Sequence, residues 1–213
     1  MTSRHVPPIA SPPGDRPRRA DADRSVERIL DAALQALTSD PDASMVDIAR
    51  RAHLARATIY VHFPTREALI EAVTERAIAD VVHAMKDAQP DRDDPAEALQ
   101  RVLTIAWREL ARFHALVGIN VRHPQADLRN LHGPVFALLQ PLIERGQRRE
   151  RFRSDVPATW HISMLLALIH AASDELQADR MSSVTIESAL VTAALGAVGA
   201  PPAWGPAPND PVS

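Results

Sequence analysis

The sequence predicts an all-α protein, and two features of it support that prediction. Hydrophobic residues make up 46% of the 213 residues but aromatic residues only 4%, and the chain has only seven glycines. The apolar content is mostly Ala, Leu, Val and Ile, and over most of the chain it recurs at the three- and four-residue spacing of a helix face. This pattern is typical of packed helices rather than of a twisted sheet.

The first predicted helix has apolar residues at helical spacing and ends before Pro41. Ser44 and Asp47 then form the start of a short helix through Ala52, in the manner of a capping box. A second short helix is predicted at residues 56–61. The apolar positions of the first helix are Val26, Ile29, Leu30, Ala33, Leu34 and Leu37.

Longer helices are predicted for the rest of the chain, each with a start signal. Thr65 caps a helix that carries Leu69, Val73, Ala77 and Val81. The next is expected at about residues 95–115, after an Asp94 cap and with Pro95 in its first turn. The last three are expected at about residues 133–149, with Pro141 as a kink, at 157–178, and at 183–198 with Ser183 as the cap.

Composition excludes several functional classes. Because the chain has no cysteine, it has no disulfides, thiolate nucleophiles or cysteine-ligated metal centres. The longest strongly apolar stretch, residues 164–169, is far shorter than the roughly 20 residues of a bilayer span. The first two dozen residues are rich in Pro and Arg but have no apolar run behind them, unlike a secretory signal. We therefore expect a cytoplasmic protein with no membrane partner.

Charge is distributed unevenly along the chain. The net charge is −3, which argues against a protein that coats nucleic acid by bulk attraction. Residues 1–66 nevertheless contain ten Lys or Arg against eight Asp or Glu, a balance of +2, whereas residues 67–213 contain fourteen against nineteen, a balance of −5. The positive excess lies at the N-terminal end.

The two short helices and their three-residue turn form a helix-turn-helix pattern, whose second helix enters the major groove. In that second helix only Ile59 is an obvious core anchor. Arg56 could read a guanine edge or bind phosphate, the Thr58 methyl could contact thymine, and Tyr60 or His62 could donate to phosphate oxygens. The next helix, with its Thr65 cap and Arg66, offers free amides and a positive dipole end to another phosphate.

This region closely resembles the TetR family of transcriptional regulators over about 50 residues. Thr58, Tyr60, Phe63 and Glu67 fall in the family's order and spacing. The resemblance implies a ligand-binding domain behind the helix-turn-helix and a dimeric four-helix bundle made by the last two helices. The runs that carry it are S-M-V-D-I-A-R-R-A from Ser44, A-R-A-T-I-Y-V-H-F from Ala55 and P-T-R-E-A-L-I from Pro64.

Three residues depart from the family's pattern. His53 occupies a turn position that is usually glycine, so a left-handed backbone costs more there. Ala55 replaces the usual Ser or Thr cap of the second short helix, at a cost of roughly 1 kcal/mol. Val46 replaces a polar residue that often contacts the DNA backbone. None of these changes removes the recognition surface.

We expect four segments: a disordered Pro- and Arg-rich arm at 1–22, the DNA-binding domain at 23–66, the effector-binding and dimerisation domain at 67–199, and a disordered tail at 200–213. The expected function is regulation of transcription at a roughly palindromic operator, with repression the commoner outcome among similar proteins and relief by a small molecule. The predicted DNA-binding residues are Ser44, Arg56, Ala57, Thr58, Tyr60, Val61, His62, Thr65 and Arg66.

Residues of the C-terminal part are assigned from spacing and type alone. A mostly apolar effector pocket is expected beside Trp107, His114 and Trp160. A homodimer is expected through an apolar stripe of the last helix, where Ala193, Gly196 and Ala197 allow close approach. That stripe is Leu190, Val191, Ala194, Leu195 and Val198.

Two other functional classes are compatible with parts of the sequence. A metal-dependent enzyme is suggested by nine histidines, but pairs such as His53 and His62 are nine residues apart and so lie on opposite faces of a helix. No phosphate loop or nucleophile constellation is present, so no catalysis, cofactor or metal is expected. A helical interaction protein without DNA binding is the other alternative, and the polar second short helix argues against it.

Overall fold

The computed structural model describes residues 15–112 and 131–199, with side-chain surroundings from residue 21 onward. These residues form eight α-helices and no β-strand. None of the described helices is both long enough and apolar enough to cross a membrane. The helices are α1 (Asp15–Ser39), α2 (Met45–Arg51), α3 (Arg56–His62), α4 (Arg66–Asp87), α5 (Pro95–Ala111), α6 (Gly133–Arg148), α7 (Ala158–Gln177) and α8 (Ser183–Val198).

The N-terminal core joins α1, α2, α3 and the first half of α4. Ile29, Ile48, Ile59 and Leu69 contribute one fully buried side chain from each of these helices. The helix-turn-helix is therefore braced on both sides by longer helices, which holds α3 in a fixed orientation.

Helix α1 begins at Asp15, earlier than composition predicts. Pro17 lies in the first turn, where a proline removes no intrahelical hydrogen bond. The charged residues after it favour the helix through pairs such as Arg24 Nη1 with Asp21 Oδ1 at 3.1 Å. The predicted unstructured arm therefore overlaps α1 at residues 15–22. Its remainder, and the tail predicted at 200–213, lie outside the described residues.

A second core joins the C-terminal half of α4 to α5, α6, α7 and α8. Fully buried residues at its centre include Leu99, Val102, Ile143, Ile162 and Val198. Helix α4 contributes Val73 and Ala77 to the first core and Val81, Val82 and Met85 to the second. It is therefore the element that the two halves of the molecule share.

Predicted helix starts agree closely with the structure. Thr65 Oγ1 accepts from the Ala68 N–H at 3.1 Å, and Asp94 Oδ1 accepts from the Ala96 N–H at 2.9 Å. The last helix is capped by Ser182 rather than the predicted Ser183. Two predicted boundaries shift: α5 ends at Ala111, a few residues before the predicted end, and α7 begins at Ala158, one residue after the predicted start.

The residues that follow α6 pack closely against α6 and bond to the end of α8. Gly146 lies directly under the ring of the buried Phe152, so any Cβ at that position would overlap the ring. The next residue, Arg153, donates its N–H to the Val198 carbonyl oxygen at 2.9 Å. The α6–α7 connection is thus fixed to the end of α8.

Candidate nucleic-acid interface

Helix α2 begins with the predicted capping box. The Ser44 hydroxyl accepts from the Asp47 N–H at 3.2 Å and donates to Asp47 Oδ2 at 2.6 Å, and that oxygen also accepts from the Ser44 N–H at 3.3 Å. These bonds from Ser44, followed by the charges of Arg50 and Arg51, lower the pKa of Asp47. Ser44 was predicted to contact DNA, but its hydroxyl and N–H are both engaged in this cap.

The turn between α2 and α3 contains the predicted left-handed residue. His53 has φ 54°, and the Leu54 N–H reaches back to the Ala49 carbonyl oxygen at 3.0 Å. Arg28 of α1 holds the turn from outside, because its Nη2 donates to the carbonyl oxygens of Ala52 at 2.6 Å and His53 at 3.2 Å. Arg28 is 24 residues away from Ala52, so no local sequence pattern points to this contact.

Helix α3 presents nearly all of its surface to solvent. Ile59 is fully buried and is the only buried residue of α3, as predicted, while Thr58 and His62 are half-buried. Ala55 at the N-cap makes no side-chain hydrogen bond, also as predicted. The exposed residues of the helix are Arg56, Ala57, Tyr60 and Val61.

Arg56 and Tyr60 form a contact on this exposed surface. The guanidinium carbon of Arg56 lies 5.5 Å from the centroid of the Tyr60 ring, within cation–π range. The two residues are one helical turn apart, so the contact holds the guanidinium against the helix. Its planar fork is the group that binds a guanine edge or a phosphate in two-point fashion.

Arg66 has a different environment from the one predicted. Its Nη2 donates to the Pro41 carbonyl oxygen at 2.6 Å and its Nε to the Ala43 carbonyl oxygen at 3.5 Å. The side chain therefore ties α4 to the connection between α1 and α2. The residue is half-buried, and two of its guanidinium nitrogens are engaged in these hydrogen bonds.

A second arginine connects α1 with α4. Arg76 Nη1 is paired with Glu27 Oε2, and Arg76 Nε donates to Asp80 Oδ1 at 3.3 Å. These two carboxylates raise the pKa of Arg76, the Glu27 hydrogen bond most of all. The contact lies where α4 leaves the N-terminal core, so it couples the orientation of α1 to that of α4.

The predicted effector residues do not share an environment. Trp107 is fully buried in a core with Ile169 and Leu190, and its indole N–H donates to the Ser183 carbonyl oxygen at 3.1 Å. Trp160 is 61% exposed. Because Trp107 is buried and Trp160 is mostly exposed, the two side chains do not line one enclosed pocket, contrary to the prediction. His114 lies outside the described residues.

A surface groove of about 770 Å³ runs between α4 and α6. Val82 and Leu138 contribute apolar side chains to its lining, and Lys86 contributes a charged one. Because α4 forms one side of this groove, a ligand bound there would contact α4.

The predicted dimer stripe lies inside the protomer. Leu190 is 5% exposed, Ala194 and Val198 are fully buried, and Val191 and Leu195 pack against the second core. Leu190, Ala194 and Val198 are therefore occupied by contacts inside the protomer, whereas Val191 and Leu195 are half-buried and keep some exposed surface. The residues of α8 that are exposed are uncharged and mostly small: Val184, Thr185, Ser188, Ala189, Thr192, Ala193 and Gly196.

Histidines do not assemble a metal site in the described part of the chain. Among residues 15–112 and 131–199, no three His, Cys, Asp or Glu side chains are placed to hold a metal ion. His161 is buried, with Nε2 at 3.0 Å from the Arg153 carbonyl oxygen. The rings of His132 and His170 meet edge to face, with their centroids 5.8 Å apart. Burial lowers the pKa of His170, and the nearby His132 contributes a smaller effect in the same direction.

Comparison with known proteins gives a consistent result. Residues 29–73 match the family model described as bacterial regulatory proteins, tetR family. The repressor NicS of Pseudomonas putida is 28% identical over 165 residues, which cover 72% of this chain and 77% of NicS. The repressor LfrR of Mycolicibacterium smegmatis is 28% identical over 197 residues, which cover 90% of this chain and 94% of LfrR.

Solved structures show the same fold over most of the chain. FadR from Bacillus subtilis, in complex with stearoyl-CoA, has a TM-score of 0.68 at 16% identity and covers 81% of this chain and 98% of its own. LfrR in complex with proflavine has a TM-score of 0.64 at 23% identity and covers 84% and 98% respectively. The likeness therefore extends beyond the helix-turn-helix into the helices that follow it.

Proposed function

Since the chain is a DNA-binding transcriptional regulator of the TetR family, we propose that it acts as a homodimeric repressor. It binds a roughly palindromic operator through α3, and a small molecule bound among α4–α8 releases it. The observation that carries the proposal is the exposed surface of α3, which is anchored through Ile59 and holds the Arg56 guanidinium against Tyr60.

DNA binding is tested with the full chain and duplexes selected from genomic fragments. Fluorescence anisotropy at several salt concentrations should show tight binding to the selected duplex and weaker binding to a scrambled one. Phosphate contacts should make the logarithm of the affinity fall linearly with the logarithm of salt concentration. Equal affinity for both duplexes would contradict the proposal and favour an interaction protein that has only the fold.

A dimer is required to present two recognition helices to one palindromic site. In such a complex the two copies of α3 lie about 34 to 36 Å apart, so that they enter successive major grooves on one face of the duplex. The exposed faces of α7 and α8 are the surfaces that we propose for the interface. Gly196 supports this, because a Cβ at that position would meet nothing within 4 Å and another helix can approach closely.

The proposed effector binds the helical unit and acts through α4. Structural neighbours have been solved with stearoyl-CoA, proflavine and resorcinol, so this fold accommodates small molecules of several classes. Because α4 belongs to both cores, a ligand that prefers a shifted position of its C-terminal half also favours a shifted α3. The required effect is a difference in ligand affinity between the two conformations.

The effector is sought by mass spectrometry of small molecules released from the purified full chain. A released compound should lower the operator affinity of the ligand-free protein, and operator DNA should lower the affinity for the compound by the same factor. A compound that binds the protein without changing its operator affinity would contradict its role as an effector.

A further inference from the structure

The two residues at the centre of the outward face of α3 are both aliphatic. An α-helix turns by about 100° per residue, so Ala57 and Val61, each two residues from Ile59, point about 160° away from it on either side. Burial agrees with this geometry, because Ile59 is fully buried and Val61 is 77% exposed. Ala57 and Val61 therefore form the ridge of α3 that projects farthest from the protein.

Neither side chain of this ridge can donate or accept a hydrogen bond. In the major groove the one apolar group on a base edge is the C5-methyl of thymine, since the other distinguishing groups are donors and acceptors. Polar groups capable of bonding phosphates or other bases flank the ridge on Arg56, Thr58 and Tyr60. The helix thus presents an apolar centre with a polar surround.

We propose that Ala57 and Val61 read the C5-methyl group of thymine, so that each operator half-site contains a thymine facing this ridge. The inference rests on the proposed function and adds a specificity-determining contact to it. It predicts a T·A pair near the middle of each half-site, with the positions contacted by Arg56 beside it. Val61 supplies the larger apolar surface and is the residue to vary.

The test uses the full chain and an operator selected from a random duplex library. Each thymine of the half-site is replaced in turn by deoxyuridine, symmetrically in both halves, which removes only the methyl group. At the thymine that faces the ridge, affinity should fall by about fourfold per half-site, the factor that corresponds to burial of one methylene-sized group. Uracil substitution at thymines outside the selected motif is the DNA control.

Val61→Ala separates this contact from other effects of the missing methyl. The variant should bind the thymine operator more weakly than the parent, yet lose little further affinity when that thymine becomes deoxyuridine. Thermal unfolding should be unchanged because Val61 is exposed, which shows that the variant is folded.

The possible failures are distinguishable. If the full chain selects an operator but no uracil substitution weakens binding, or if the loss is equally large in Val61→Ala, the thymine contact is wrong while operator binding stands. If the chain selects no duplex at all, the proposed function itself fails and the contact with it. A loss at one thymine that Val61→Ala suppresses supports the inference.

Discussion

At the scale of single residues, the guanidinium groups of Arg56 and Arg66 differ in the groups that they contact. Arg66 bonds to two carbonyl oxygens of the same molecule, whereas Arg56 lies on an aromatic face that leaves its edge N–H groups accessible. A guanidinium with accessible N–H groups can bind a base or phosphate without first breaking protein hydrogen bonds. These environments support our proposal that Arg56, rather than Arg66, contacts DNA.

Replacing Arg56 by Ala should weaken operator binding by about 1 to 3 kcal/mol if the side chain reads a base, and should relax preference at one operator position. Anisotropy titrations against operators varied at each position measure both effects. Arg149→Ala, an exposed arginine at the end of α6, is the matched control and should bind like the parent. A variant of Arg56 with parental affinity and preference would contradict the assignment.

Replacing Arg66 by Ala should reduce stability, because it removes a charged hydrogen bond to the Pro41 carbonyl oxygen, worth about 1.5 to 3 kcal/mol, and a longer, weaker one to the Ala43 carbonyl oxygen. Urea denaturation measures the loss, and Arg66→Lys should restore only part of it because an ammonium lacks the planar fork. Operator affinity per folded dimer should keep its salt dependence. Unchanged stability with a salt dependence flatter by about one unit per half-site would instead identify Arg66 as a phosphate ligand.

At the scale of helices, the capping box of α2 makes stability depend on pH. The folded pKa of Asp47 is lowered, so its contribution to stability is present above the unfolded pKa and is lost as pH falls through the folded pKa. Asp47→Asn should therefore be less stable than the parent at neutral pH, and the difference should shrink in acid. Urea denaturation across this range checks it, with the exposed Asp23→Asn of α1 as control. A difference between Asp47→Asn and parent that does not change with pH would contradict the cap's role.

Gly146 should not tolerate a side chain. Gly146→Ala forces a methyl group into the Phe152 ring, and overpacking of this kind costs about 1 to 3 kcal/mol. Gly133→Ala is the matched control, since a Cβ at that position meets nothing within 4 Å. Thermal unfolding should separate the two variants clearly. Equal melting temperatures would show that α6 and Phe152 can move apart freely.

Helix starts could be predicted from the sequence because they depend on neighbouring residues. Ser44 with Asp47, Thr65 with Ala68, and Asp94 with Ala96 each act within three positions. The left-handed turn at His53 and the single anchor Ile59 were predictable for the same reason. Contacts that join distant segments were not, including those of Arg28, Arg66 and Arg76 with partners 23 to 49 residues away.

At the scale of the whole molecule, hydrophobicity alone does not distinguish the protomer core from the dimer interface that we propose. The predicted stripe is apolar because Ala194 packs on the second core and Leu190 packs on the core around Trp107. The opposite face of α8 is less hydrophobic, with Ser188, Thr192 and Gly196 among its exposed residues. Small uncharged side chains permit close helix approach without a strongly apolar composition, so this face carries a weaker signal in the sequence.

A charge placed on that face should break the dimer. Ala193 is exposed on α8, and Ala193→Glu introduces a carboxylate that a close interface would have to desolvate without a partner. Obligate interfaces commonly bury more than roughly 2,000 Å², so disruption at their centre should give a monomer in sedimentation velocity. Operator affinity should fall with it, because a single α3 contacts only one half-site.

Ala137→Glu, the same change on the exposed face of α6, should leave both properties unchanged. If Ala193→Glu remained a dimer with parental operator affinity, the interface would have to lie on another surface, and the distance between the two copies of α3 would be set there instead.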